Sequence, residues 1–218
     1  MFCQQVPTTG GIDIKIKKRI PVASGLAGGS ADAAAVLLGM NKLFESGLNL
    51  EGLKKIGLRL GADVPFCLTG GAAVGRGVGE NLTTISPLED VPILLVNPGL
   101  EISAASAYQG LNLGLSRQLR DVRISAKHVK EGDLEEVSQS LYNCLESSVF
   151  QSYPIVATLR NKLGSLPESY GSLMSGSGAT VFAIMHSDIE TVKSAEVLKS
   201  KFSTCIATHT SPFGLKIA

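Results

Sequence analysis

Apolar and polar residues alternate strictly from Ile12 to Lys17, Ile-Asp-Ile-Lys-Ile-Lys. That period of two is the signature of a half-buried strand, and it predicts a strand over residues 10–20 that Pro21 ends. Residues 21–35 then read Pro-Val-Ala-Ser-Gly-Leu-Ala-Gly-Gly-Ser-Ala-Asp-Ala-Ala-Ala, followed by Val36-Leu37-Leu38-Gly39-Met40 and, one turn on, Leu43-Phe44. This predicts a glycine-rich loop opening a helix at about 29–45. Leu50, Leu53, Ile56, Leu58 and Leu60 recur at near-helical spacing and predict a helix over 50–60, with Asn49 as N-cap and Gly61 as its stop. Residues 61–68 read as a loop leading into an apolar segment, Gly70-Gly71 as a turn, and 72–80 as a strand or turn region. Val91–Val96 is a buried strand stopped by Asn97-Pro98-Gly99.

The rest of the chain predicts a short helix at 103–111 and a polar surface connection at 112–124. Helices follow at 127–134 and 135–145, parted by Gly132-Asp133, and at 153–163 with Pro154 in the first turn. A loop at 164–171 leads to strand, glycine turn, strand through 172–185, then a helix at 189–202 and a strand at 205–210. Residues 1–9 carry no periodic signal. Strands and helices intermix without a βαβ rhythm, so the predicted class is α+β.

Composition narrows the function classes. The 218 residues are 44% hydrophobic and 18% charged, enough for a sizeable core in one or two domains. A formal net charge of +1 gives no electrostatic reason to expect nucleic acid or a membrane surface. The apolar runs are short and broken by Gly or Pro, so no membrane span is expected. The first residues have neither a basic region nor an apolar core, so no signal peptide is expected. Cys3, Cys67, Cys144 and Cys205 are isolated, and His128, His186 and His209 lack ligand spacing, so no metal ligand set is expected. Reduced thiols in a cytoplasmic compartment fit best, with Cys67 as a core residue.

Three features could carry chemistry. Glycines at a helix start let the backbone approach an anion where the first helical N–H groups have no partner. The loop at 25–30 is therefore a candidate phosphate site, or simply a tight strand-to-helix turn. It matches neither the Walker nor the Rossmann spacing. Asp63 is either a turn-forming residue or a carboxylate aimed at a substrate hydroxyl. Ser175-Gly176-Ser177-Gly178 is either a hairpin turn or a second close backbone approach to a ligand. Lys15, Lys17, Lys18 and Arg19 read as the solvated face and end of an edge strand, and Arg76 and Glu80 as surface residues.

Taken in order, these stretches resemble the GHMP family of small-molecule kinases. The matching segments are Lys18-Arg19-Ile20-Pro21 with Gly25-Leu26-Ala27-Gly28-Gly29-Ser30-Ala31-Asp32-Ala33-Ala34, then Leu60–Phe66, Gly77–Glu80, Asn143–Glu146 and Met174–Phe182. The family's usual loop reads GLGSSAA. The GLAGGSA wording here points to the branch that phosphorylates the 2-hydroxyl of 4-diphosphocytidyl-2-C-methyl-D-erythritol (CDP-methylerythritol) in non-mevalonate isoprenoid synthesis.

The resemblance implies a two-lobed α+β fold. An ATP-binding lobe of the ribosomal protein S5 domain 2 type would span 1–88, and a ferredoxin-like lobe 89–218. It implies ATP and Mg²⁺. Pro21, Val22, Ala23, Ser24, Gly25, Leu26, Ala27, Gly28, Gly29, Ser30 and Ala31 would wrap the phosphates. Asp63 would be the catalytic carboxylate, with Gly176, Ser177 and Gly178 closing the site. It implies no dedicated protein metal site, no nucleic-acid or membrane partner, a monomer or homodimer, and a cytoplasmic location, or a plastid one in a eukaryote. The family's opening segment, with its Lys-x-Asn-Leu and Asp-Gly-Tyr/Phe-His motifs, has no counterpart here, so the resemblance implies an N-terminally truncated kinase. On that expectation Asp63 lacks its lysine partner and the strand at 12–17 lacks its neighbours. Another small-alcohol kinase of the family, and a catalytically impaired nucleotide-binding remnant, stay open as alternatives.

Overall fold

The computed structural model describes residues 2–6, 10–109 and 121–215. It divides into two compact units, residues 1–20, 27–87 and 211–218 in one, and 21–26 with 88–210 in the other.

In the first unit, α1 (Phe2–Gln5), α2 (Gly28–Leu43), α3 (Leu50–Leu58) and α4 (Val64–Thr69) accompany a two-stranded antiparallel ribbon, β1 (Ala72–Arg76) with β2 (Asn81–Ile85). The core joins Ala34, Leu37 and Met40 of α2 to Leu53 and Ile56 of α3 and Val64 of α4, with Phe2 and Val6 against them. These spacings are the one-sided stripe of an amphipathic helix. Asn49 caps α3 as expected, its side chain accepting from the Gly52 N–H at 2.9 Å. Helix α3 ends at Leu58, short of Gly61. Its last turn closes through 3₁₀-type bonds from the Arg59 N–H to Ile56 O and the Leu60 N–H to Gly57 O, and Gly61 beyond it gives its N–H to Gly57 O.

Two expectations fail in this unit. The alternating segment 10–20 is extended but is no strand. Among the described residues, no backbone group pairs with residues 11–19. A ladder needs a neighbour, and without one Ile12, Ile14 and Ile16 stay 39–52% exposed. The apolar run after Asp63 is a helix, α4. Its six residues are too few for a readable period, and Pro65 sits where a first turn tolerates it. Residues 2–5, which carried no periodic signal, are helical.

In the second unit, β3 (Pro92–Asn97), β4 (Ser169–Met174), β5 (Val181–Met185) and β6 (Thr204–His209) form an antiparallel sheet in the order β4-β5-β3-β6. The helices are α5 (Ala104–Gln109), α6 (Val122–Glu131), α7 (Leu134–Ser140), α8 (Glu146–Ser152), α9 (Pro154–Gly164) and α10 (Asp188–Leu198). Leu94, Val96, Val181 and Ala183 pack with Val156, Leu159 and Leu163 of α9 and Ala195 and Leu198 of α10. The alternate positions Ile93, Phe182 and Ile184 pack with Val129, Leu134, Val137 and Leu141. Because strand side chains alternate, the sheet is covered on both faces. That is why 91–96 reads as one apolar run.

The α+β class stands. Helix α6 begins at Val122, capped by Asp121, inside the expected surface connection, whose residues 112–120 lie outside the described ones. The expected helix 135–145 stops at Ser140, and α8 was not foreseen, because Leu141 leaves helical geometry. Strand β4 starts at Ser169, inside the expected loop. Among the described residues, no helix is long and apolar enough to cross a membrane.

Candidate active site

The glycine-rich stretch has residues in both units, and each set is described within its own. In the second unit, residues 21–26 are strapped down by their carbonyl oxygens. Ala23 O accepts from the Ile102 N–H at 3.1 Å, Ser24 O from the Thr180 N–H at 3.2 Å, and Gly25 O from the Ser175 hydroxyl at 2.8 Å. Residues 175–178 form the β4–β5 hairpin turn, closed by Gly178 N–H on Ser175 O at 2.9 Å. Gly25 has φ +77°, and a Cβ there would lie 2.1 Å from Ser175 O, so only glycine allows this approach. Ser24 and Gly25 are thus brought against Ser175–Gly178. The Ser24 side chain is buried, and its hydroxyl has no partner among the described residues.

In the first unit, Ala27 stands at the N-cap of α2 in left-handed geometry with no side-chain cap. The first helical bond is Ala31 N–H to Ala27 O. Gly28, Gly29 and Ser30 therefore present uncapped N–H groups at the positive end of the helix dipole. Among the described residues, the N–H groups of Gly28, Gly29 and Ser30 have no protein acceptor, whereas Val22 and Ala23 in the second unit form a hydrogen-bonded turn. Three free N–H groups at the start of a helix are the polarity an anion needs.

One charged side chain joins this helix end. Lys18, expected on the solvated end of a strand, reaches Asp32 on α2 with its ammonium. That ammonium would lie 3.5 Å from a Cβ on Gly28. Sequence reasoning passed Lys18 over. The signal available was its place three residues before Pro21, next to a loop with no cation of its own. Gly61 lies close to Ser30, since a Cβ there would be 3.8 Å from the Ser30 hydroxyl. Asp63 follows two residues on. It occupies the N-cap position of α4, but its backbone is helical and its side chain makes no capping bond. A turn-forming aspartate spends its carboxylate on nearby N–H groups. The carboxylate of Asp63 is exposed and has no hydrogen-bond or ion-pair partner among the described residues. Its charge is felt by Cys67, whose thiol is pushed up first by burial and then by Asp63. Cys67 is half-buried rather than a full core residue.

Among the described residues, no three His, Cys, Asp or Glu side chains cluster to hold a metal ion. An octahedral Mg²⁺ carried by polyphosphate needs only one or two protein oxygens, and Asp63 and the Ser30 hydroxyl are of that kind.

The model of the GHMP kinases N terminal domain matches residues 1–71, and that of the GHMP kinases C terminal domain residues 125–199. A 4-diphosphocytidyl-2-C-methyl-D-erythritol kinase of Acetivibrio thermocellus is 42% identical over 210 residues, 96% of this chain and 74% of that protein. The enzyme of that name from Alkaliphilus metalliredigens is 46% identical over 176 residues, 80% of this chain and 60% of the relative. The chain is thus shorter than the relatives it matches. The crystal structure of a 4-(cytidine 5'-diphospho)-2C-methyl-D-erythritol kinase superposes with a TM-score of 0.75 at 32% identity, covering 88% of this chain and 68% of the other. A homoserine kinase from Cytophaga hutchinsonii shares the fold at a TM-score of 0.72 and 18% identity.

Proposed function

The chain belongs to the GHMP kinase family, and from that premise we propose that it transfers the γ-phosphate of ATP to the 2-hydroxyl of 4-diphosphocytidyl-2-C-methyl-D-erythritol. Relatives at 36–46% identity bear that activity in their names. The observation that supports the reading here is the uncapped start of α2, where the Gly28, Gly29 and Ser30 N–H groups have no protein acceptor among the described residues.

In this mechanism the N–H groups of Gly28, Gly29 and Ser30 bind phosphate oxygens, and the α2 N-terminus supplies roughly half a positive charge. Lys18 lies close by as an ion pair with Asp32. Asp63 accepts, or orients, the proton of the substrate hydroxyl while its oxygen forms the new bond to the γ-phosphorus. The bond from that phosphorus to the bridging oxygen breaks, and ADP leaves with the electron pair. Mg²⁺ would be held by ATP together with Asp63 or the Ser30 hydroxyl, and it would neutralise charge on the phosphates. Such a reaction asks the protein for positioning and charge compensation more than for covalent chemistry. The turn at 176–178 serves by holding the first half of the loop. The reading places the protein in the cytoplasm with ATP and a small molecule as its partners.

A coupled assay of ADP release with this substrate tests it, with Asp63→Asn as the variant. Loss of a general base costs about a hundredfold or more in rate, so the variant should fall by at least that while retaining nucleotide binding. Wild-type turnover on homoserine or mevalonate in preference to the cytidine compound would move the chain to another branch. Nucleotide binding without turnover on any of them would make it a binding protein.

A further inference from the structure

The hairpin turn that holds Gly25 is itself held from outside, by Asn143 in the link between α7 and α8. The Asn143 side-chain amide donates to Met174 O at 2.8 Å and to Gly176 O at 2.7 Å. Its Oδ1 accepts from the Leu145 N–H at 2.9 Å. Two carbonyls on one side and an N–H on the other fix the amide in a single orientation. Only a side-chain amide carries two donors and an acceptor on one planar group. Three residues on, Glu146 Oε1 accepts from the Met174 N–H at 3.0 Å. One short segment therefore grips both polar groups of Met174 and the carbonyl of Gly176. Met174 is fully buried, so neither backbone group has water as a substitute. On the far side of the turn, Ser175 Oγ and Thr180 N–H take the carbonyls of Gly25 and Ser24.

We propose that Asn143, supported by Glu146, is a positioning residue for nucleotide binding. It sets the 174–176 backbone, and through Ser175 and Thr180 it sets the direction of the Val22–Leu26 backbone. This rests on the kinase reading for its consequence and on the geometry alone for its mechanism. The two bonds to the carbonyls of Met174 and Gly176 specify the turn, whereas the bond from Leu145 only caps the next helix. Those two roles separate in a substitution. Asn143→Asp keeps the acceptor for Leu145 and faces both carbonyls with a carboxylate. Asn143→Ala loses everything.

The experiment compares wild type, N143D and N143A by amide hydrogen exchange and by steady-state kinetics with ATP. The expected result for N143D is faster exchange at 174–178 and at the Ile102 and Thr180 amides, which donate to the loop carbonyls, with unchanged protection in α9 and α10. Its KM for ATP should rise about tenfold or more, the effect of losing two bonds to buried acceptors, with the KM for the alcohol substrate within twofold of wild type. Should N143D fail to fold, Glu146→Ala and Glu146→Gln replace it. The alanine variant should speed exchange at Met174 and at Ile102 and Thr180, and the glutamine variant, which keeps an acceptor, should restore protection. Unchanged exchange at Ile102 and Thr180 in N143D, or in E146A, overturns the proposal. A wild-type chain that neither binds ATP nor transfers phosphate overturns the kinase reading instead, and the exchange arm still decides the clamp.

Discussion

Two glycines four positions apart should respond to alanine with opposite signs. Gly25 sits at φ +77°, where an L side chain costs roughly 1–2 kcal/mol. Its new Cβ would meet Ser175 O at 2.1 Å and both Gly178 N and Gly178 O at 2.9 Å. These are backbone atoms and cannot rotate away. Relief means pulling the loop off the turn and breaking the Ser175 hydroxyl bond to Gly25 O, worth about 1 kcal/mol more. Gly25→Ala should therefore lose about 2–4 kcal/mol. Gly29 lies in the first turn of α2, with ordinary φ and nothing within 4 Å of the place a Cβ would take. Alanine there should gain about 0.5–1 kcal/mol from helix propensity alone. Yet the open space beside Gly29 is where a phosphate would approach the uncapped N–H groups. Gly29→Ala should stabilise the protein and weaken ATP about tenfold or more, the scale of losing one charge-assisted hydrogen bond. Urea unfolding followed by far-UV circular dichroism reads the first quantity, and titration calorimetry with ATP the second. A stabilised G29A that binds ATP as tightly as wild type would remove the α2 N-terminus as the phosphate seat. A wild-type urea midpoint for G25A would refute the steric argument.

Three further outcomes follow from single groups. The Cys67 thiol is raised by burial and then by the Asp63 carboxylate, so Asp63→Asn should lower it and speed alkylation of Cys67 at pH 8, followed by peptide mass spectrometry because Cys3 is exposed; an unchanged rate would mean the carboxylate is not beside the helix start. Ser24→Ala removes a buried hydroxyl without a partner among the described residues and should leave thermal stability equal or raise it by up to about 1 kcal/mol, while a clear loss would mean the hydroxyl is bonded in solution. His209 is raised above its ordinary 6.5, first by its hydrogen bond to Asp188 and then by the charges of Asp188 and Asp90 against an opposing effect of burial. A raised histidine stabilises the fold fully below the unfolded pKa and ceases to as pH rises through the folded one. Imidazole resonances should show a midpoint above 6.5 that Asp188→Asn brings back, and a midpoint unmoved by that change would dismiss the pair.

The fold was legible where one element buries one stripe. Leu50–Leu58 and Val91–Val96 could be read because burial acts on them from fixed sides. The failures share a cause. Ile12–Lys17 has the local pattern of a strand, but strand formation is decided by a partner the pattern does not contain. Helix α4 is too short to show a period, and its Pro65 reads as a break when it is a first-turn residue. Helix α6 hides behind Asp121, a cap that a polar context disguises as loop.

The site was legible in a different way. Spacing alone left the glycine loop undecided between a turn and an anion seat, because both need glycine for the same steric reason. What separates them is which backbone groups the protein consumes. A mere turn would pair its own N–H and C=O groups across a few residues. Here Ala23, Ser24 and Gly25 give three consecutive carbonyls to Ile102, Thr180 and Ser175, and the N–H groups of Gly28, Gly29 and Ser30 find no protein acceptor among the described residues. All three donors are distant along the chain, Ser175 by 150 residues, so no local reading could have counted them. The same holds for Asn143, whose meaning lies in two carbonyls of the 174–176 turn. A residue that orients another segment's backbone leaves no pattern around itself; it becomes visible only when every buried carbonyl is asked which donor it has.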